Sequence, residues 1–404
     1  MFKKTILPLF DSLKCISDDP VALGYVEKDH HQDFTQALSF LRSYKGSLGT
    51  FTAYRRDIER LLQWSWTVHH KSLKDLKRED IEVFIGFCQN PPKSWIGLKK
   101  LPRFVGKEKM RKPNMEWRPF LAKVSKRAFK QGEKPDVRDF GLSETSIKDI
   151  FSILSSFFNY LLQEEYILSN PVTMIRQKSQ FIQKQQKTRR IRRLTPNQWQ
   201  YVFNTAKQMA KEAPAKHERT LFMLSLLYGM YLRISELVAS DRWTPTMNNF
   251  FADHHNNWWF VTVGKGNKKR QIAVSDSILE ALKRWRKYLN LTLLPSPSDS
   301  SPLLPRMTGK GPLTHTGPIR AIVQECFDRA VAQLKLDNHM EEAENLMEAT
   351  VHWLRHTGIS DDVKIRPREH VRDDAGHSSS AITDKYIDVE LTERHASAKS
   401  KVLE

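Results

Sequence analysis

No acidic residue stands between Glu165 and Glu212, and within that gap the stretch from Arg176 to Arg193 carries eight lysines and arginines. A run so basic and rich in glutamine has no hydrophobic periodicity and cannot bury itself, so it reads as an extended tether. It therefore cuts the chain into parts that must build separate cores. A length of 404 residues agrees, at roughly 150 residues per domain.

Composition narrows the partner. Lys plus Arg is 65 against 46 Asp plus Glu, a net charge of +19. That balance points to a polyanion, most often nucleic acid, with a merely basic surface as the alternative. Hydrophobic residues at 40% exclude a disordered chain. Cys15, Cys88 and Cys326 are scattered with no CxxC pair, which predicts reduced thiols and a cytoplasmic protein. The apolar stretch Ile6 to Phe10 is broken by Pro8 and lacks a small-residue cleavage site, so no signal peptide is read. No apolar run approaches the ~20 residues needed to span a bilayer, so no membrane association is expected.

Residues 1–45 are weakly patterned and read as an N-terminal extension. From Thr50, the residues Phe51, Tyr54, Ile58, Leu61 and Leu62 fall at helical spacing. A second short helix follows over Glu79 to Gln89, stopped by Asn90-Pro91-Pro92. Residues 93–130 hold thirteen basic residues against Glu108 and Glu116, interleaved with Trp95, Phe104, Trp117, Phe120 and Phe129. These either meet phosphates with stacking aromatics or form a solvated insertion with aromatics packed beneath. Ser143 to Glu165 is the clearest helix, with Ser143 as cap and an apolar stripe from Ile147 to Leu162.

Beyond the tether, Thr195-Pro196-Asn197-Gln198 spells a capping box with proline at the first helical position. Trp258 to Val263 and Gln271 to Val274 read as a hairpin around a Gly-Lys-Gly turn. Helices are expected over Asp276 to Leu289 and Pro318 to Leu334. Four clusters in this half carry chemistry: Leu232-Arg233-Ile234-Ser235-Glu236-Leu237; the basic hairpin tip at Lys265; His352-Trp353-Leu354-Arg355-His356-Thr357; and Gly376-His377-Ser378-Ser379, with Tyr386 nine residues after His377. Arginine forks suit the negative oxygens of a phosphoryl-transfer transition state. A tyrosine hydroxyl can attack phosphorus and hold a strand end covalently. Lysine and histidine can move the protons.

Several histidines have plainer readings. His254 and His255 suit a solvated loop better than a metal site. His352 and His356 are four apart, but Trp353 stands where a zinc protease needs glutamate, so His356 is read as structural. Glu341, Glu342, Glu344 and Glu348 form either a helix face turned from DNA or a surface for a neighbouring protomer.

Taken in order, these motifs resemble the tyrosine recombinase, or phage integrase, family over roughly residues 50–90 and 143–390. The resemblance implies a mainly α fold: a helical, SAM-like core-binding domain over 46–175 with a basic insertion at 93–135, a linker over 176–194, and an α+β catalytic domain over 195–404 with a small antiparallel sheet. Together these would form a C-shaped DNA clamp. It also implies roles. Arg233 and Arg355 would clamp the scissile phosphate, and Lys265, rather than Lys268 or Lys269, would protonate the leaving 5′ oxygen. His352 would exchange a proton near the nucleophile, His377 would hydrogen-bond the phosphate, and Tyr386 would form a 3′-phosphotyrosine. Glu236 would support the fold near Arg233.

No metal and no cofactor is expected. Implied partners are a double-stranded recombination site, further copies forming a tetramer on paired sites, and accessory DNA-bending or directionality proteins. The implied setting is a bacterial cytoplasm, at the nucleoid, and the implied task is integration or excision of a mobile element. A non-cleaving DNA binder and a type IB topoisomerase are the rival readings. The charged stretch Ser360 to Ala375 and the presence of Trp353 depart from the family pattern.

Overall fold

The computed structural model describes residues 6–16, 21–44, 46–107, 111–175, 192–264 and 266–384, with 386, 395, 398 and 399. The chain divides into two compact units, Met1–Lys187 and Thr188–Glu404. Of the expected linker, residues 176–191 lie outside the described residues.

In the first unit, α1 (His31–Arg42), α2 (Leu48–Trp64), α3 (Arg78–Gln89) and α5 (Glu144–Gln163) surround one core, to which the short α4 (Lys126–Lys130) gives no buried residue. The α2 stripe buries Phe51, Ile58, Leu61 and Leu62 completely. Ser143 Oγ accepts from Ser146 N at 3.2 Å and starts α5, whose Ile147, Ile150, Phe151, Leu154, Phe157, Phe158 and Leu161 face inward. Leu162, expected on that stripe, turns to solvent.

Residues expected to be an extension belong to this core. Leu9 and Phe10 are buried, Phe10 stacks on Phe34 of α1 with centroids 5.0 Å apart, and its amide donates to Glu59 of α2. Asp33 of α1, wholly buried, accepts from Trp66, Ser72, the Leu73 amide and Tyr166, which fixes the chain before and after the helices.

The basic segment is anchored by its aromatics. Trp95, Phe104, Trp117 and Phe120 are buried, while Phe129 is exposed. Two-residue strands hold it: β1 (Ile96–Gly97) pairs in parallel with β4 (Phe120–Leu121), and β2 (Phe104–Val105) antiparallel with β3 (Lys112–Pro113). Arg60 of α2 donates to the Pro119 carbonyl at 2.7 and 3.0 Å with its guanidinium 4.3 Å from the Phe120 ring centroid. Packing of the aromatics underneath is thus the arrangement found, with Lys99, Lys100, Lys107, Lys112 and Lys123 exposed above.

The second unit is a helical body that carries a three-stranded antiparallel sheet. Its helices are α6 (Pro196–Glu212), α7 (Pro214–Gly229), α8 (Asp276–Tyr288), α9 (Gly317–Leu336), α10 (Met340–Met347), α11 (Val351–Asp362), α12 (Arg368–Ala375) and α13 (Ser380–Asp384). Thr195 Oγ1 and Gln198 cap α6 reciprocally, as the capping box requires. Glu342 of α10 accepts from Thr195 and Asn197, so this acid of the run ties α10 to the start of α6. The sheet order is β5 (Phe250–Ala252), β6 (Trp258–Val263), β7 (Lys269–Ala273), with Val263 opposite Lys269 and Thr262 opposite Arg270. Strand β5 was not expected, and β7 begins two residues earlier than predicted. His254 and His255 lie in the β5–β6 turn, where Asp253 accepts from the His255 and Asn257 amides. Helix α7 is the central helix, buried nearly all round, and packs on α6, α8 and α11.

Candidate active site

Where α7 ends, Tyr231 adopts a left-handed backbone (φ 51°) while wholly buried. That is a costly conformation for a bulky residue and persists only where the surroundings enforce it. It aims the Tyr231 carbonyl at α11, where Arg355 Nη1 donates to it. The hydroxyl of Tyr231 donates to Asp362 at the far end of α11. Helix α11 can come this close because residue 358 is glycine: a Cβ there would stand 2.0 Å from the Tyr228 carbonyl oxygen.

Arg355 is 2% exposed. Its Nη2 donates to the Ala375 carbonyl at 2.7 Å and lies 3.3 Å from His377 Nε2. His377 Nδ1 is 2.9 Å from Thr383 Oγ1. An arginine can only donate, so His377 carries its proton on Nδ1 and passes it toward Thr383.

Arg233 begins the 3₁₀ turn Ile234–Leu237, and Glu236 in that turn collects the neighbouring cations. The carboxylate, 1% exposed, accepts from the Arg233 amide at 2.8 Å and from Arg233 Nη1 at 3.1 Å. It also accepts from Arg270 Nη1 at 2.6 Å and Nη2 at 2.8 Å. Burial alone would raise its pKa, but the bonds and charges of Arg270 and Arg233 prevail and hold it below the usual carboxylate range.

Arg270 reaches further, donating from Nε to the Asp374 carbonyl at 3.0 Å. Gly376, at φ +64°, caps α12, and a Cβ there would sit 2.7 Å from Arg270 Cδ. The hairpin is thus tied to both α12 and the Arg233 turn. Lys265 itself lies outside the described residues; its neighbours Gly264 and Gly266 are in the β6–β7 turn, closed by Gly264 N donating to Lys268 O at 2.9 Å.

Tyr386, 6% exposed, closes the site. Its ring stacks on His377 at 5.6 Å, and its hydroxyl lies 2.7 Å from His356 Nδ1. His352, one turn earlier on α11, meets the His356 ring edge-on at 4.2 Å. So His356, read from sequence as structural, is the histidine whose ring nitrogen lies within hydrogen-bond reach of the Tyr386 hydroxyl. Arg270, which the motifs did not single out, is the scaffold of the arginine cluster. The charged stretch before Gly376 also finds its use. Arg366 bonds Asp362, Asp374 and Tyr231, joining α11 to α12, while Val371 and Ala375 supply the apolar face. Trp353 packs against the main core of this unit.

Two guanidiniums, Arg233 and Arg270, thus share one carboxylate, while Arg355 beside them bonds two carbonyls and His377, which leaves a surplus of positive charge suited to an anion. The surplus registers in the titration. Burial, then Arg233 and Arg270, lower Arg355 to about 9, still charged at neutral pH. Burial and the arginines lower His377 to about 4, and burial with His352, Arg355 and His377 lowers His356 to about 3, so both are neutral at pH 7. His352 is lowered too, by partial burial and then by Arg355 and Arg233. Tyr386 is raised by burial, against the pull of Arg355 and Arg233, and stays protonated.

Arg233 and Arg355 are thus brought beside His377 and the Tyr386 ring, through the Gly376 and Ala375 carbonyls and the His377 ring. The phage integrase family pattern matches residues 192–393, the whole of the described site, and the chain belongs to that family, the tyrosine recombinases. It is accordingly an enzyme of the site-specific recombinase class.

Among relatives, the tyrosine recombinase XerC of Bacillus subtilis (strain 168) is 27% identical over 234 residues, 56% of this chain and 70% of XerC. A tyrosine recombinase of Thermosipho africanus (strain TCF52B) is 31% identical over 198 residues, 48% of this chain and 58% of the relative. Among solved structures, the XerH recombinase bound to palindromic difH substrate in a post-cleavage complex aligns with a TM-score of 0.53 at 14% identity, covering 92% of this chain and 86% of XerH. The Tn1549 transposon integrase in complex with transposon right end DNA aligns with a TM-score of 0.51 at 15% identity, covering 90% and 98%. These two likenesses establish the fold. No helix among the described residues is long and apolar enough to cross a membrane.

Proposed function

We propose that the chain cuts and rejoins duplex DNA at a specific site through a 3′-phosphotyrosine, in the service of integrating or excising a mobile element. The observation that carries the chemistry is the gathering of Arg233, Arg355, His377 and Tyr386 in one place with surplus positive charge. In this reading Arg233 and Arg355 bind the non-bridging oxygens of the scissile phosphate and gain strength as charge builds on them. The Tyr386 oxygen forms a bond to phosphorus while the bond to the 5′ oxygen breaks. Lys265 gives the leaving oxygen its proton. His377 must give up its bond from Arg355 and carry a proton on Nε2, gained from outside or by a shift from Nδ1, before it can donate to the phosphate. Its neutral state with Nε2 facing Arg355 is therefore a resting state. The free 5′ hydroxyl of a partner strand reverses the step, so the bond energy is conserved in the ester and no external energy source enters.

The same reading has four copies on two paired sites, helped by accessory DNA-bending or directionality proteins, in the cytoplasm on nucleoid DNA. Basic residues of segment 93–135 and of the 176–194 linker would contact phosphates. A second reading, Xer-type chromosomal resolution, is favoured by the XerC relatives, although 27% identity over 56% of the chain is too distant to carry a target across. Mapping covalent protein–DNA ends genome-wide separates the two. Ends confined to the boundaries of an integrated element and its empty target support the mobile-element reading. A single chromosomal locus with no element beside it overturns it in favour of resolution.

A further inference from the structure

We propose that His356 is a catalytic residue of strand cleavage: its Nδ1 takes the proton of the Tyr386 hydroxyl as the tyrosine oxygen attacks phosphorus. This rests on the reading of Tyr386 as nucleophile and goes beyond it by naming the proton's destination. The resemblance pointed to His352 for that exchange. The geometry sets His352 edge-on against the His356 ring at 4.2 Å, and it is His356 whose Nδ1 lies 2.7 Å from the hydroxyl. A general base must lie within hydrogen-bond reach of the proton it removes, and His356 meets that condition.

In the free enzyme His356 is a poor base by design of its surroundings. The groups facing it are His352 and Arg355 on its own helix, His377 after α12, and Tyr386. Burial and the charge of Arg355 hold its imidazole neutral. A phosphodiester seated on Arg233 and Arg355 cancels the charge that disfavours imidazolium, so the base gains strength when substrate arrives. Without DNA the tyrosine keeps its proton, and the nucleophile is quiet.

The step balances. The Tyr386 Oη–H bond breaks and its proton moves to His356 Nδ1, while the Oη–P bond forms and the P–O5′ bond breaks. In religation a 5′ hydroxyl attacks phosphorus, and His356 returns the proton to Tyr386. This requires His356 to begin as the Nε2–H tautomer.

The test uses the full-length chain and a suicide substrate carrying its own recombination site. His356→Asn keeps an acceptor near the hydroxyl but cannot take its proton. Covalent adduct formation should slow by roughly 10²- to 10⁴-fold with mobility-shift affinity unchanged within a few-fold. The lost rate should return as pH rises toward 9, or when Tyr386 is replaced by a fluorinated tyrosine with a more acidic hydroxyl. A merely structural role gives neither rescue. An adduct rate within three-fold of wild type, or a slow rate indifferent to pH and to fluorination, overturns the proposal. In both cases the wild-type adduct still forms and the nucleophile reading stands; absence of a wild-type adduct would instead remove that reading. Nitrogen-15 NMR of wild-type His356 gives an answer independent of any variant. The Nε2–H tautomer supports the proposal, and a proton resident on Nδ1 refutes it.

Discussion

Exchanging Glu236 for glutamine tests whether the arginine cluster is held by one buried anion. Glu236 is 1% exposed and receives four donors, the Arg233 amide, Arg233 Nη1, and both terminal nitrogens of Arg270. The Arg270 side chain is 10% exposed. Removing one partner of a buried pair leaves the other's charge uncompensated, a loss of about 3–5 kcal/mol. A unit of about 200 residues loses roughly 2–4 °C per kcal/mol, so Glu236→Gln should lower its melting temperature by ~6–20 °C. Arg270→Met strands the carboxylate with Arg233 alone and should fall in the same range. The double variant removes both charges, so its loss should be smaller than the sum, by about 1–3 kcal/mol of coupling. Thermal and denaturant unfolding of the four proteins measure this directly. Losses that add to within about 0.5 kcal/mol would refute the claim that Glu236 and Arg270 act as one unit.

Three other expectations follow from the same structure. Each phosphate contact contributes about −0.9 to the slope of log affinity against log salt, so changing Lys99, Lys100, Lys112 and Lys123 together to alanine should flatten it by up to ~4; an unchanged slope removes DNA contact from the 93–135 segment. Lys265→Ala should slow cleavage by roughly 10²- to 10⁴-fold, and a sulfur leaving atom at the scissile 5′ position should restore it, since a thiolate leaves without a proton; equal loss in Lys268→Ala would move the role. His377 and His356 have folded pKa values near 4 and 3, below the ordinary 6.5, so the unfolded chain binds protons the folded one refuses and stability falls as pH drops from about 6.5 toward 4. His377→Asn should melt with a shallower pH dependence across that window, and parallel curves would contradict the assignment.

Long, strongly patterned elements were legible in the sequence. α5 announced itself by its stripe and cap, α6 by its capping box, and the β6–β7 hairpin by two apolar runs around glycines. Segment 93–135 was not, because its strands are two residues long and too short to show alternation. Nor was the burial of Phe10, since a short irregular segment carries no period.

At the site, the motifs singled out Arg233, Arg355, His377 and Tyr386 as candidates, and the fold brings them together. Arg270 was hidden among basic neighbours, although strand parity could have found it: it pairs with Thr262, which is wholly buried, so it shares that residue's inward face. His356 was hidden because one histidine on a helix reads as structure until the chain end carrying Tyr386 folds back onto it.

The central claim is that the hydroxyl of Tyr386 is the nucleophile. Tyr386→Phe keeps the ring that stacks on His377 at 5.6 Å and removes only the oxygen. Losing a hydroxyl that served merely as a hydrogen-bond partner costs about 1 kcal/mol, a few-fold effect. Losing a nucleophile abolishes the covalent complex. On a suicide substrate resolved by denaturing gel, wild type should give a slow-migrating protein–DNA band and Tyr386→Phe none, at equal mobility-shift affinity, while Tyr160→Phe and Tyr228→Phe keep it. A band that persists in Tyr386→Phe would contradict the account.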